Sequence, residues 1–193
     1  MTDDSSRAAP FWVRFDPTNQ TQSGALAVLR QGFDREPGDV PGMWPYYVHL
    51  TQEGRLTRKL TAEHLALSMF GLHQQGIRTK VHRGGAFGQP SFAAALHRLR
   101  ASGRFSEAAL DARVAQAATA PDVRALAYHL RGLITMLKAI PDSAFNYDGL
   151  LQDLQDWQDP ARAGRVRLNW GIAYQQNPAS QNTTAQNSTK EKK

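Results

Sequence analysis

The 193-residue chain contains no cysteine, which excludes disulfides, thiol catalysis and thiolate metal sites. Glutamate is scarce, with five in all, and no serine stands in the setting of a nucleophile elbow. Apolar runs stay short of the about 18 residues that suggest a membrane span. No secretory h-region is visible either, so a soluble, intracellular (cytoplasmic) protein without membrane contact is expected. Strand-like alternation of useful length is missing, which leaves helices to build the fold. There is no internal repeat.

Metal and nucleotide chemistry find little support. The six histidines stand at 49, 64, 73, 82, 97 and 129, without an HExxH motif or a helical His/carboxylate pair that would build a metal face. Each reads as a surface or half-buried residue. Gly84-Gly85-Ala86-Phe87-Gly88 lacks the Lys and Ser/Thr of a P-loop and follows no strand, so it reads as a hinge. Asp153 and Asp156 stand one turn apart, but an acidic solvent face is the simpler account of them. No catalytic residue, metal ligand or cofactor is expected.

What the chain has is arginine. The net charge is +6, with 17 Arg against 6 Lys, and three of those Lys fall in the last four residues. Guanidinium forks bind phosphate bidentately, whereas lysine acts as a point charge. GC-rich coding, which the abundant alanine also fits, would give the same bias.

Apolar spacing predicts about eight helices. The first runs from Gln22 or Ser23 to Phe33, preceded by an apolar Phe11–Phe15 segment able to dock. A second covers Gly42 to Leu50, and a core helix, apolar nearly all round, covers Thr61 to Gln75 with Gly76 as terminator. A flexible basic loop from Ile77 to Gln89 leads to a helix from Pro90-Ser91 to Arg100. Another runs from Ser106 to Ala118. Later helices cover Asn146 to Gln158, with an acidic outward side of Asp148, Asp153 and Asp156, and Pro160 to Tyr174.

The clearest element is Pro121 to Ile140. Val123, Leu126, Ala127, Leu130, Leu133, Ile134 and Leu137 recur at the steps that line one helical face. Pro121 suits a first helical position, and Thr119 with Asp122 resembles a capping box. On another face Arg124, Arg131 and Lys138 are seven residues apart, a row of cations spaced roughly 10 Å. Cations on an outer helix face are commonly just solvated. The same sign on neighbouring elements would make the row a surface for a long anion. The predicted fold is all-α, in two small helical bundles at 11–102 and 103–176, with a disordered polar tail at 177–193.

Several segments resemble the CasB family, the small subunit of the type I-E CRISPR surveillance complex, Cascade. They are ALAVLRQGFDREPGDVPGMWPYY, HLALSMFGLHQQG, SFAAALHRLRASG, and YDGLLQDLQDW followed by RVRLNWGIAYQ. Together they span roughly residues 22–175. Gln31 departs from a frequent Arg-Arg of the family, and the polar tail is extra. The resemblance implies a non-catalytic, all-helical subunit, present as a pair of copies beside other Cascade subunits. Its implied role is to hold the guide RNA–target assembly and the displaced DNA strand and so to stabilise the R-loop. It marks Arg30, Arg58, Lys59, Arg113, Arg131, Arg165 and Arg167 as candidate phosphate contacts, to which the helical row adds Arg124 and Lys138. Two other classes remain open. One is a helix-turn-helix DNA-binding regulator, although no short segment clusters Asn, Gln and Arg for base edges. The other is a helical scaffold whose arginines pair with acidic partner helices.

Overall fold

A computed structural model describes residues 9–85 and 89–175. Within them the chain forms eight α-helices: α1 (Phe11–Arg14), α2 (Ser23–Arg30), α3 (Arg58–Gln74), α4 (Phe92–Ala101), α5 (Glu107–Ala118), α6 (Val123–Leu137), α7 (Tyr147–Trp157) and α8 (Pro160–Gln175). Two 3₁₀ turns, Gln20–Gln22 and Pro41–Tyr46, precede α2 and α3. Among the described residues no strand forms, and His82 and Phe145 make one isolated parallel bridge. The fold is all-α, as expected. The expected disordered tail, beyond α8, and Ala86 to Gly88 of the expected hinge lie outside the described residues.

Helix α3 is the axis of the core. Thr57 caps it, its hydroxyl oxygen accepting from the Leu60 amide at 3.1 Å, and Gly76 at φ +77° terminates it, a left-handed position that favours glycine. Its side chains are buried nearly all round, and α1, α2, α6 and α7 pack against it. Gly71 lets α2 approach closely, since a Cβ there would meet the Leu29 Cβ at 2.8 Å. Helix α4 packs against α8, α5 against α6, and α7 against α8. The turn at Ser102–Gly103, the expected division between two halves, separates α4 from α5. Buried side chains from both sides of it, from Phe11 to Tyr174, belong to one apolar cluster.

Because α3 is enclosed beyond its first turn, Glu63, His64, Ser68, His73 and Gln74 are enclosed with it. His64 and His73 are buried, and so is His82 from the following loop, against the expectation of surface or half-buried histidines. His64 sits between the Tyr47 hydroxyl (2.7 Å) and the Gly32 carbonyl (2.8 Å), and His73 Nδ1 lies 3.1 Å from the Tyr147 hydroxyl. Burial lowers the pKa of all three by penalising the charged ring, with His73 reaching about 3. Glu63, also buried, accepts from the Val48 (2.7 Å) and His49 (2.9 Å) amides.

Other expectations need correction. The helix expected over Gly42 to Leu50 is the 3₁₀ turn Pro41–Tyr46. Pro45 inside it lacks an amide donor and restricts the residue before it, and the Glu63 carboxylate holds the amides that follow. The 77–85 loop, read as flexible, is tied down: the Gln74 side-chain amide donates to the Ile77 and Thr79 carbonyls, and Phe145 pairs with the backbone of Val81 and Arg83. The acidic side of α7 is only partly a solvent face, with Asp148 exposed and Asp153 and Asp156 half-buried, and all three carboxylates are engaged. Asp148 accepts from Trp12 Nε1 (2.8 Å), Asp153 from Trp170 Nε1 (2.7 Å) and Asp156 from Arg162 (3.1 Å).

Candidate nucleic-acid interface

All seven apolar positions expected to face inward on α6 are buried. The helix starts later than expected. Asp122 is its N-cap, its carboxylate accepting from the Arg124 and Ala125 amides, so Pro121 lies outside. Thr119 instead donates back to the Ala115 carbonyl of α5 at 2.9 Å. With one face anchored, α6 turns Arg124 and Arg131 outward, while Lys138 is its C-cap. The Lys138 ammonium donates to the Leu72 carbonyl near the end of α3 at 2.9 Å.

Arg30, the last residue of α2, donates to the Gln75 side chain at the same end of α3. Its charge is close enough to act on Lys138: burial, and then the Arg30 guanidinium, pull the Lys138 ammonium below the usual lysine range. Arg113 of α5 reaches the row from the other side. A Cβ on Gly132 of α6 would lie 4.0 Å from its Nη1. Arg113 and Arg131 both line a groove of about 710 Å³ between α5 and α6. Five of the nine candidates (Arg30, Arg113, Arg124, Arg131 and Lys138) therefore gather around α6.

That cluster is not bare. The loop after α2 brings two carboxylates over it: Glu36 pairs with Arg124, and Asp34 Oδ2 lies 3.5 Å from Arg131 Nη1. Asp34 holds a left-handed conformation at φ 63°, and Arg131 also lies over the Phe33 ring at 4.9 Å. The Arg131 and Asp34 side chains are 52% and 82% exposed. Exposed pairs of this kind are worth only ~0.2–1 kcal/mol, so competing anions can displace them.

Arg58 and Arg167 occupy a second position, where α7 meets α8. Arg58 Nη1 is 3.4 Å from Asp159 Oδ2, and the Arg58 carbonyl accepts from Gln158 Nε2 at 2.9 Å. Arg167 donates to the Ala118 carbonyl at 3.0 Å and lies 4.6 Å over the Trp157 ring. A concave surface lined by Asp122, Gln158 and Arg167 joins this corner to the start of α6. The expected pairing of Arg165 with Arg167 is split, because two residues on a helix differ by about 200°; Arg165 faces the Asp156 side instead. Lys59 and Arg165 are exposed and are tied into neither group among the described residues. On α4, Arg98 is engaged by the Asp142 and Ala144 carbonyls and Arg100 by Asp111.

The family model for the CRISPR-associated protein Cse2 matches residues 25–174. The chain belongs to that family. Its fold is similar to that of CasB from Thermobifida fusca, with a TM-score of 0.62 at 24% identity, covering 89% of this chain and 93% of that one. A CRISPR-associated protein of the Cse2 family from Thermus thermophilus has a TM-score of 0.61 at 21% identity, with 84% and 92% covered. A CasB structure from the same species has 0.61 at 22%, with 90% and 98% covered. At these identities the likeness is one of fold. No curated protein matches the sequence.

Among the described residues of this Cse2-family chain no group of three or more His, Asp or Glu is placed to hold a metal ion. No described helix is long and apolar enough to cross a membrane. Sequence reasoning missed two sets of residues around α6. Asp34 and Glu36 were legible only as two acids in the loop after Arg30. Tyr128 carried a signal, an aromatic side chain off the apolar stripe and three residues before Arg131.

Proposed function

We propose that this chain is the non-catalytic small subunit of a type I-E CRISPR Cascade complex in the cytoplasm. In this reading it is present as a pair of copies beside the other Cascade subunits and stabilises the R-loop formed by guide RNA, target DNA and displaced strand. Family membership supports the assignment to the complex. The observation that carries the nucleic-acid role is the gathering of Arg30, Arg113, Arg124, Arg131 and Lys138, from three helices, around α6. R-loop formation exchanges one duplex for another of similar stability, so a modest electrostatic contribution from a neighbouring subunit tips it. Such contacts follow the backbone, and base pairing supplies the sequence specificity.

The assignment is tested in the reconstituted complex by replacing both Arg131 and Arg165 with Glu. R-loop lifetime should shorten while the circular dichroism of the isolated subunit stays helical; an unchanged lifetime would refute the role. The scaffold reading has one observation in its favour, since Arg58, Arg124 and Arg131 already pair with carboxylates. Nuclease treatment of a complex pulled down from cells expressing the CRISPR operon separates the two. A nucleic-acid clamp loosens as the RNA is digested, whereas a scaffold keeps its partners.

A further inference from the structure

Tyr128 has no place in the core and no role in the cationic row, yet it is the most exposed large hydrophobic side chain among the described residues, at 73%. Its ring meets His129 edge-on at 5.5 Å and contributes to one wall of the α5–α6 groove. Positions three and four residues on share its face of α6, and these are Arg131 and Gly132. Gly132 has no side chain to fill the groove, and the nearest atom to a Cβ placed there is Arg113 Nη1, 4.0 Å away. Among the described residues Arg113 pairs with no carboxylate. Leu133 and Met136 add apolar lining. The groove, at about 710 Å³, falls within the ~300–1,000 Å³ of small-molecule sites.

An exposed aromatic face, an apolar floor and two guanidinium groups match the parts of one unpaired nucleotide: a flat π-surface with phosphates on either side. A duplex offers no free base face, and an acidic peptide would use the arginines but leave the ring without a counterpart. We propose that the α5–α6 groove is a stacking site for an unpaired nucleobase, with Tyr128 as the platform and Arg113 and Arg131 holding the adjoining phosphates. This inference rests on the nucleic-acid reading above and adds single-strand selectivity to it. Aromatic stacking tolerates any base, because every base has a π-face.

The test is fluorescence anisotropy of the full chain with a labelled single-stranded oligonucleotide, and with the same strand carrying abasic residues, across a salt series. Tyr128→Ala should weaken binding of the intact strand by about 5- to 150-fold, equivalent to ~1–3 kcal/mol per stacked base. Tyr128→Phe should retain affinity. Neither should alter the slope of log affinity against log salt, because no charge is lost, whereas Arg113→Gln should flatten it by about 0.7. The abasic strand should bind the wild-type protein as weakly as Tyr128→Ala binds the intact one. Salt-dependent binding that is indifferent to both Tyr128→Ala and base removal would overturn the stacking site while leaving the nucleic-acid reading intact. Absence of any salt-dependent strand binding by the wild-type protein would overturn both. Displacement of the strand by an acidic peptide in a Tyr128-dependent manner would assign the groove to a protein partner and also overturn the proposal.

Discussion

Neutralising the two carboxylates that lie over the cationic row should strengthen binding of nucleic acid, not weaken it. Asp34 and Glu36 pair with Arg131 and Arg124, so each competes with a phosphate for the same guanidinium. The double replacement Asp34→Asn with Glu36→Gln removes that competition and keeps the shapes. Asparagine also tolerates the left-handed backbone at position 34, as few other residues do. Each exposed pair is worth ~0.2–1 kcal/mol, so releasing both should raise affinity for a single strand by about 2- to 30-fold. Two net negative charges also disappear, which adds to the gain at low salt and fades as the Debye length shrinks. Anisotropy titrations at two salt concentrations measure both parts. The Phe33 contact with Arg131, at 4.9 Å, needs neither carboxylate, so the fold should hold. Unchanged or reduced affinity in the double variant would refute the competition and with it the availability of the row.

Two further expectations concern pH. Burial raises the Asp153 carboxyl to about 6, so the native state holds its proton more tightly than the unfolded chain does. That advantage is complete below about pH 4 and is lost as pH rises through 6. Asp153→Asn keeps an acceptor for Trp170, and it should be the more stable protein above pH 6, by ~1–3 kcal/mol in denaturant melts, with the gap closing below pH 4; a constant gap would count against a buried, protonatable Asp153. His73 has the opposite sign. Burial, assisted by Lys138, lowers it to about 3, so its contribution is complete above pH 6.5 and is lost as pH falls toward 3. His73→Asn should therefore show a flatter loss of melting temperature between pH 6.5 and pH 4 than the wild-type protein, and a parallel loss would contradict that.

The sequence was most informative where a local period sufficed. The α6 stripe was legible because all seven inward positions follow from helical geometry alone, with no knowledge of what they touch. The outward cations were equally legible, but not their neighbours. Asp34 reaches Arg131 across 97 positions of chain, and no local pattern marks that meeting. The histidines on α3 fail for a related reason. A helix apolar nearly all round does not reveal which side its polar residues face, and here every side is covered. Residues 42–50 carry helix-like spacing, yet Pro45 and the distant Glu63 carboxylate set their conformation. Asp153 reads as outward by period alone, yet it accepts a hydrogen bond from Trp170 across α7 and α8, a meeting that no period marks. The candidate site was thus readable as a set of residue types, and its grouping around α6 came only with the packing.

The central claim is that Arg124 and Arg131 meet phosphates. The measurement that bears on it most directly is the salt dependence of single-strand binding by the wild-type chain and by the double variant Arg124→Gln with Arg131→Gln. If both guanidiniums neutralise phosphates, the slope of log affinity against log salt should flatten by about 1.4 in the variant, about 0.7 for each phosphate no longer neutralised. Equal slopes for the two proteins would mean that the row stands in solvent and binds no strand.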